Sequence, residues 1–252
     1  MKPRTPGFWL IVATVGLLAL LPMQALAGMT PEEVELYKNA KSTAEKGDAE
    51  SQGFVGGCYY YGEGVTKDYA EAAKWFRKAA EQGDALSQDF LGACYESGKG
   101  VPKNLTESLK WHRKAADQGF SNSQLHLGTC YLQGLGVTKD PAEAVKWFRK
   151  AAERGKWFAY YYLGDCYGNG KGVPKNLIES YAYYKLAETG RKLDPDSKND
   201  PDSNLLILTA EKNLEKKMTK KDIESAKDRS SIISLEIDAK NKKSEGAKKS
   251  GK

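Results

Sequence analysis

Four segments of this chain repeat at a spacing of 36 residues, and that period constrains the fold more than any other feature. Gly56-Gly57-Cys58-Tyr59 returns as Gly92-Ala93-Cys94-Tyr95, Gly128-Thr129-Cys130-Tyr131 and Gly164-Asp165-Cys166-Tyr167. Lys74-Trp75-Phe76-Arg77-Lys78-Ala79-Ala80 returns at Lys110 and Lys146, with a weaker copy at Ala182-Tyr183-Tyr184-Lys185-Leu186-Ala187. A fixed period in this range marks stacked units, each of which buries its apolar face only against its neighbours. Such a chain builds a surface by repetition, which favours binding over catalysis.

Each unit reads as helix, loop, helix, with units at 48–83, 84–119, 120–155 and 156–190. In the first helix, Val55, Leu91, Leu127 and Leu163 hold one position, a Gly follows, and a Tyr lies four residues after the aliphatic. Spacings of three and four share a helix face, and the Gly removes a side chain where helices approach closely. Gly62-x-Gly64 and its copies then end that helix and turn the chain. They are not a phosphate-cradling loop, because no Gly-Lys-Ser/Thr follows. Asp68, Asn104, Asp140 and Asn176 are N-cap residues, and Glu71, Glu107, Glu143 and Glu179 sit at the capping-box spacing. The second helix carries Trp75, Trp111, Trp147 and Tyr183 as a core stripe and ends near Gly83, Gly119, Gly155 and, one residue early, Gly190.

The ends read differently. Lys2 and Arg4, the apolar Phe8–Leu21 stretch and Ala25-Leu26-Ala27 have the layout of a signal peptide over residues 1–27, cleaved before Gly28. Its apolar core is short for a membrane span, which needs about 20 residues, so the mature chain is expected to be exported, periplasmic or secreted, with no span. Residues 28–47 predict a lone N-terminal capping helix, started by Thr30, Pro31 and Glu33. Residues 191–203 read as a linker and 204–240 as C-terminal helices, with a Thr219/Asp222 cap and an Ile223, Ala226, Ser230, Ile233, Ile237 stripe. Residues 241–252 read as a disordered basic tail. The net charge is +6, yet residues 28–190 carry 21 basic and 21 acidic side chains. A nucleic-acid footprint is a basic face on the folded body, and none is visible in this neutral region.

The residues that carry chemistry in other proteins are placed for packing here. Cys58, Cys94, Cys130 and Cys166 share one repeat position. Neighbouring copies are then spaced by helix packing, roughly 8–10 Å, beyond disulfide reach of about 7 Å between Cα atoms. Four free, buried thiols are expected, and a ladder of ligands does not converge on one metal ion. His112 stands where Phe76 and Phe148 stand, and His126 where Phe54, Phe90 and Tyr162 stand, so both read as aromatic substitutes. Ser-x-x-Lys, Ser-Asp-Asn and Lys-Thr-Gly are all missing from the sequence. No catalytic residue, metal or cofactor is assigned.

The Leu-Gly-x-x-Tyr core, the Gly-x-Gly-Val-x-x-Asp loop and the Ala-x-Lys-Trp-Phe-Arg-Lys-Ala-Ala helix resemble the Sel-one-like repeat family, a relative of the tetratricopeptide repeats. The resemblance covers Asp48 to Gly190. It implies an all-α fold, a right-handed α-solenoid of helix-turn-helix repeats with capping helices, and a role as adaptor or scaffold. It also implies that the first helices line a concave, peptide-binding face. On them, the stripe beside the core holds Phe54, Tyr61, Phe90, His126, Thr129, Tyr162 and Asp165, flanked by Asp89 and Tyr161. These rings either finish the helix packing or line the groove. A cysteine-rich subgroup bonds two cysteines within each repeat and has been described as β-lactam-binding or β-lactam-hydrolysing; one cysteine per repeat cannot reproduce that pattern. The expected product is a monomeric, non-catalytic binder of a protein or peptide in the cell envelope, the alternatives being a cell-wall glycan or peptidoglycan binder and a β-lactam-binding or β-lactam-hydrolysing enzyme.

Overall fold

The computed structural model describes residues 30–194 and 201–250. Residues 1–29, 195–200 and 251–252 lie outside that description, and the expected signal peptide falls wholly among them. Eleven helices occur among the described residues, all α. The chain divides into two compact units between Asn104 and Leu105. Within each unit the helices pack mainly on their neighbours in the chain, save that the last two both pack on the helix before them.

The first unit holds α1 (Pro31–Glu45), α2 (Ala49–Tyr61), α3 (Tyr69–Glu81) and α4 (Ala85–Ser97). Helix α1 begins with the full capping box. The Glu33 amide donates to Thr30 Oγ1 at 3.2 Å, and the Thr30 amide donates to the Glu33 carboxylate at 2.8 Å. Asp48, Asp68 and Asp84 accept from backbone amides at the starts of α2, α3 and α4. The capping-box reading of the second helices is only half right. Asp68 Oδ1 accepts from the Ala70 and Glu71 amides, but the Glu71 carboxylate takes the Lys74 ammonium at 2.6 Å. Glu143 likewise pairs with Lys146. A charged partner one turn on outcompetes the backbone amide for that carboxylate.

Two close approaches set the spacing of successive helices. Gly56 lies under the Phe76 ring, where a Cβ would come within 2.6 Å of Cδ1. Gly64 and Gly100, both at positive φ, press on the first turn of the helix two places earlier. A Cβ would sit 2.2 Å from the Glu33 carbonyl oxygen and 1.8 Å from that of Tyr69. Helix α1 therefore presents to the first repeat what α3 presents to the second.

The second unit holds α5 (Leu105–Asp117), α6 (Ser121–Gln133), α7 (Pro141–Glu153), α8 (Trp157–Asn169), α9 (Leu177–Leu193), α10 (Pro201–Glu215) and α11 (Lys220–Ser250). Gly128 lies under Phe148 and Gly164 under Tyr184, as Gly56 lies under Phe76. Gly62, Gly98, Gly134 and Gly170 end their helices in the left-handed conformation, and each donates its amide to the carbonyl of its repeat's cysteine. At α6 and α8 the N-cap position holds Phe120 and Lys156, and no side-chain cap bond forms.

A buried ladder crosses the repeat junctions inside each unit. Gln52 Nε2 donates to the Ala44 carbonyl at 3.0 Å, Gln88 to Ala80 at 3.0 Å and Gln124 to Ala116 at 3.1 Å. Tyr160 takes the position in the last repeat, its hydroxyl donating to the Ala152 carbonyl at 2.9 Å. Each acceptor is the penultimate residue of its helix, and its carbonyl also accepts from the amide of the glycine just past the helix end, Gly47, Gly83, Gly119 or Gly155.

Three expectations at the C-terminal end need correction. Gly190 does not end its helix, because α9 runs on to Leu193 with Gly190 packed against Trp157. The next helix starts at Pro201, where a proline suits the first turn, rather than near Asn204. The basic stretch read as a disordered tail continues α11 to Ser250. Lys and Ala are good helix formers, and the preceding turns are anchored. Lys240 pairs with Glu153 at 2.7 Å, and the Asn241 amide donates to the Glu153 carbonyl at 3.0 Å. The Thr219/Asp222 cap is present, with bonds in both directions. Ala226 and Ile233 are buried, with Ile223 and Ile237 packed beside them.

All four cysteines are free and buried. Burial pushes the thiols of Cys94 and Cys166 up to about 11 and that of Cys58 up to about 12. A thiol raised in the folded state stabilises the fold fully below its unfolded pKa and loses that contribution as pH rises toward the folded value. The melting temperature should therefore hold up to about pH 8.5, the ordinary thiol value, and fall above it. Alkylating reagents should label the thiols only after denaturation; labelling of the native protein at pH 8 would contradict this packing.

The loop glycines make a second prediction. Gly100→Ala combines left-handed strain of about 1–2 kcal/mol with overpacking of about 1–3 kcal/mol. Gly83→Ala should cost the strain alone, since nothing lies within 4 Å of its Cβ position. Chemical denaturation of the two variants checks the difference, and equal losses would contradict the close approach.

Candidate binding surface

The aromatic residues beside the core do more packing than an open groove requires. In the first unit Phe90 is half-buried and lies flat on buried Phe76, with centroids 4.8 Å apart and planes 4° from parallel. Phe76 is thus held between Gly56 on one side and Phe90 on the other. In the second unit Tyr162 lies on Phe148 at 4.9 Å and 5°. His126 lies against His112 at 4.0 Å, tilted by 35°. Phe54 packs against the cluster of Tyr37, Val55, Cys58 and Trp75. Each ring therefore completes a junction with its inner face and leaves part of itself at the surface.

One open cluster forms around these rings in the first unit. Tyr61 is 51% exposed. Its ring meets Tyr60 edge-on at 5.0 Å and Phe90 at 6.3 Å. Tyr60 also contacts Phe90 at 5.8 Å and Tyr69 at 5.2 Å. The Lys99 ammonium lies 5.1 Å from the centroids of both Tyr60 and Tyr69 and 3.2 Å from the Tyr60 hydroxyl. Lys67 lies 4.9 Å over Tyr69. The result is an apolar platform with ammonium groups at its edge. Burial, then Tyr60 and Glu63, raise the Tyr61 phenol above its ordinary value, so it is a neutral donor at physiological pH. Asp89 is half-buried on α4.

A second cluster lies in the second unit. Tyr161 contacts Tyr162 at 5.8 Å and Tyr184 at 5.6 Å. Asp165 accepts from Asn169 Nδ2 at 2.6 Å and pairs with Lys171 at 3.0 Å. Burial and the Asp165 carboxylate raise the phenols of Tyr161 and Tyr162. Thr129 is half-buried, its hydroxyl donating back to the His126 carbonyl of its own helix at 2.7 Å.

The sequence reading missed Tyr60, Tyr69, Lys99 and Tyr184. Tyr60 stands in a run of three tyrosines, the available signal. Lys99 sits inside the Gly98-x-Gly100 loop, where only its position on the folded turn brings it over the rings.

Four consecutive stretches, residues 49–84, 85–120, 121–156 and 157–189, match the family model described as Sel1 repeat. The chain is similar to the crystal structure of a Sel1 repeat protein from Oxalobacter formigenes, at 31% identity and a TM-score of 0.59 over 71% of this chain and 76% of that one. It also resembles c5321, a protective antigen present in uropathogenic Escherichia coli strains displaying an SLR fold. That likeness has 26% identity and a TM-score of 0.37, over 79% of this chain and 56% of that one. Helicobacter pylori cysteine rich protein B matches at 28% identity and a TM-score of 0.42, over 50% of this chain and 93% of its own. No curated protein matches.

The half-buried and exposed rings should separate on mutation. Tyr61→Ala should change stability by no more than about 0.5 kcal/mol, as at ordinary surface sites. Phe90→Ala removes half of a stacked pair and should cost about 2 kcal/mol, below the range for fully buried Phe. Equal melting temperatures for the two variants would show that Phe90 does not support the junction.

Proposed function

The chain belongs to the Sel1 repeat family, and from that premise we propose that it is a non-catalytic adaptor of the bacterial cell envelope, holding a protein or peptide on the first-helix face of its repeats. The observation that carries this reading is the Tyr60–Tyr61–Phe90 platform with Lys99 at its edge. Phe90 is fixed by stacking on Phe76, and the two tyrosine rings pack edge-on or tilted around it, so less side-chain entropy remains to be lost on binding. Tyr is enriched at binding hot spots, and an ammonium beside an aromatic surface complements a peptide that offers both apolar and acidic groups. The Tyr161–Tyr162–Asp165 cluster offers a second contact of the same kind. Export is part of the proposal and rests on the sequence of residues 1–27. No helix among the described residues is long and apolar enough to cross a membrane.

The test uses the mature chain as bait against solubilised envelope proteins and, in parallel, against isolated cell wall. N-terminal sequencing of envelope-derived protein should begin at Gly28. A captured partner should bind at least tenfold more weakly to Tyr61→Ala or Tyr161→Ala while the melting temperatures stay close to wild type. Undiminished capture by both variants would overturn the assigned face. Retention on cell wall alone would replace the protein partner with a glycan.

A further inference from the structure

The chain has two histidines, and the fold places them against each other. His112 lies on α5 and His126 on α6, 14 residues apart, with ring centroids 4.0 Å apart. This is the slot filled by Phe76 and Phe90 in one junction and by Phe148 and Tyr162 in another. Those pairs bury carbon and lie parallel within 5°. The imidazole pair is tilted by 35° and brings ring nitrogens of the two residues within 4.8 Å of each other. Replacing one ring of an apolar stack with imidazole gives up apolar burial. Replacing both at the same junction gives up more, and what it adds is two nitrogen ligands within reach of one ion.

From this juxtaposition we propose that His112 and His126 together bind a borderline divalent ion of the zinc, nickel or copper class. Neutral imidazole is a ligand that suits these ions. Zinc–nitrogen bonds are about 2.0–2.1 Å, so two nitrogens within 4.8 Å of each other reach one ion with a small rotation of a ring. His112 is buried, and its Nδ1 lies 3.5 Å from Ser123 Oγ, so that ring is the fixed member. His126 is half-buried and supplies the rotation and the route of entry. Two protein ligands leave positions for water, which makes the site one of moderate affinity. The four cysteines do not compete in the native state, since all are buried as thiols. The proposal is independent of the peptide-binding reading.

The repeat supplies its own controls. His112→Phe restores the ring found at Phe76 and Phe148, and His126→Tyr restores the one found at Tyr162, so both variants should fold. Calorimetric titration of the mature protein with zinc chloride should show one ion per chain, and each variant should bind at least tenfold more weakly. Zinc should raise the melting temperature of the wild type and leave that of both variants unchanged. Uptake unchanged in either variant would put the ion elsewhere and overturn the proposal. Failure of the wild type to take up zinc or nickel at millimolar concentration would also overturn it.

Discussion

Phe76 is held between a glycine and another ring, and the rest of the first unit depends on that arrangement. Gly56 lets α3 come close enough for Phe76 to reach the backbone of α2. The opposite face of the same ring is then left for Phe90 of the next helix. One side chain thereby fixes the pairing within a repeat and the junction to the next. Gly128, Phe148 and Tyr162 repeat the arrangement in the second unit. Protein interiors are close-packed and tolerate little change in volume. The glycine, the buried aromatic and the outer ring are therefore one constraint expressed at three positions. It also explains why candidate binding residues are half-buried: a ring that closes a junction has one face left for a partner.

Features that recur and act locally were legible in the sequence. The caps at Asp68 and Asp140, the left-handed turns at Gly62 and Gly134 and the glycines under Phe76 and Phe148 each follow from a few neighbouring residues. The Gln52, Gln88 and Gln124 ladder recurs just as regularly but gave no signal, because an isolated polar residue on a helix reads as solvent-facing. Its acceptor is defined only when the preceding helix ends beside it. Glu71 was misjudged for a related reason: capping-box spacing and the spacing to Lys74 are both satisfied, and the competition between them is decided in three dimensions. The Tyr60–Lys99 cluster joins two successive repeats, and its Tyr60 and Tyr69 positions hold no aromatic ring in the other copies. A reading built on periodicity weighs what the copies share, whereas partner choice lives where they differ.

The C-terminal helices show what a stack of identical junctions cannot do for itself. The position of Arg149, which reaches the Tyr167 hydroxyl at 2.8 Å, becomes Lys185 in the last repeat. Lys185 instead meets Glu188 and Glu211 at 2.9 and 3.0 Å. Tyr181 donates to Glu215, and Arg229 pairs with Glu179 at 2.7 Å. The final junction is thus made with charged partners from outside the repeat, while Ile207, Ala226 and Ile233 supply the apolar cover. The drift of the fourth repeat away from its Trp and Arg positions is the sequence mark of that change of neighbour.

The glutamine ladder has a kinetic meaning. Each of its bonds joins residues eight positions apart, so the stretch of chain it closes is short and the entropy lost in closing it is small. A repeat junction can therefore form wherever two neighbouring helices first meet, and spread outward from there. Helix α11 obeys a different rule, since its bonds to Glu153 span 87 and 88 residues. It has nothing to dock on until α7, α8 and α9 have assembled. Its arrival reports that α7 and α9 are in place, which makes α11 a checkpoint on the folding of the helices it touches.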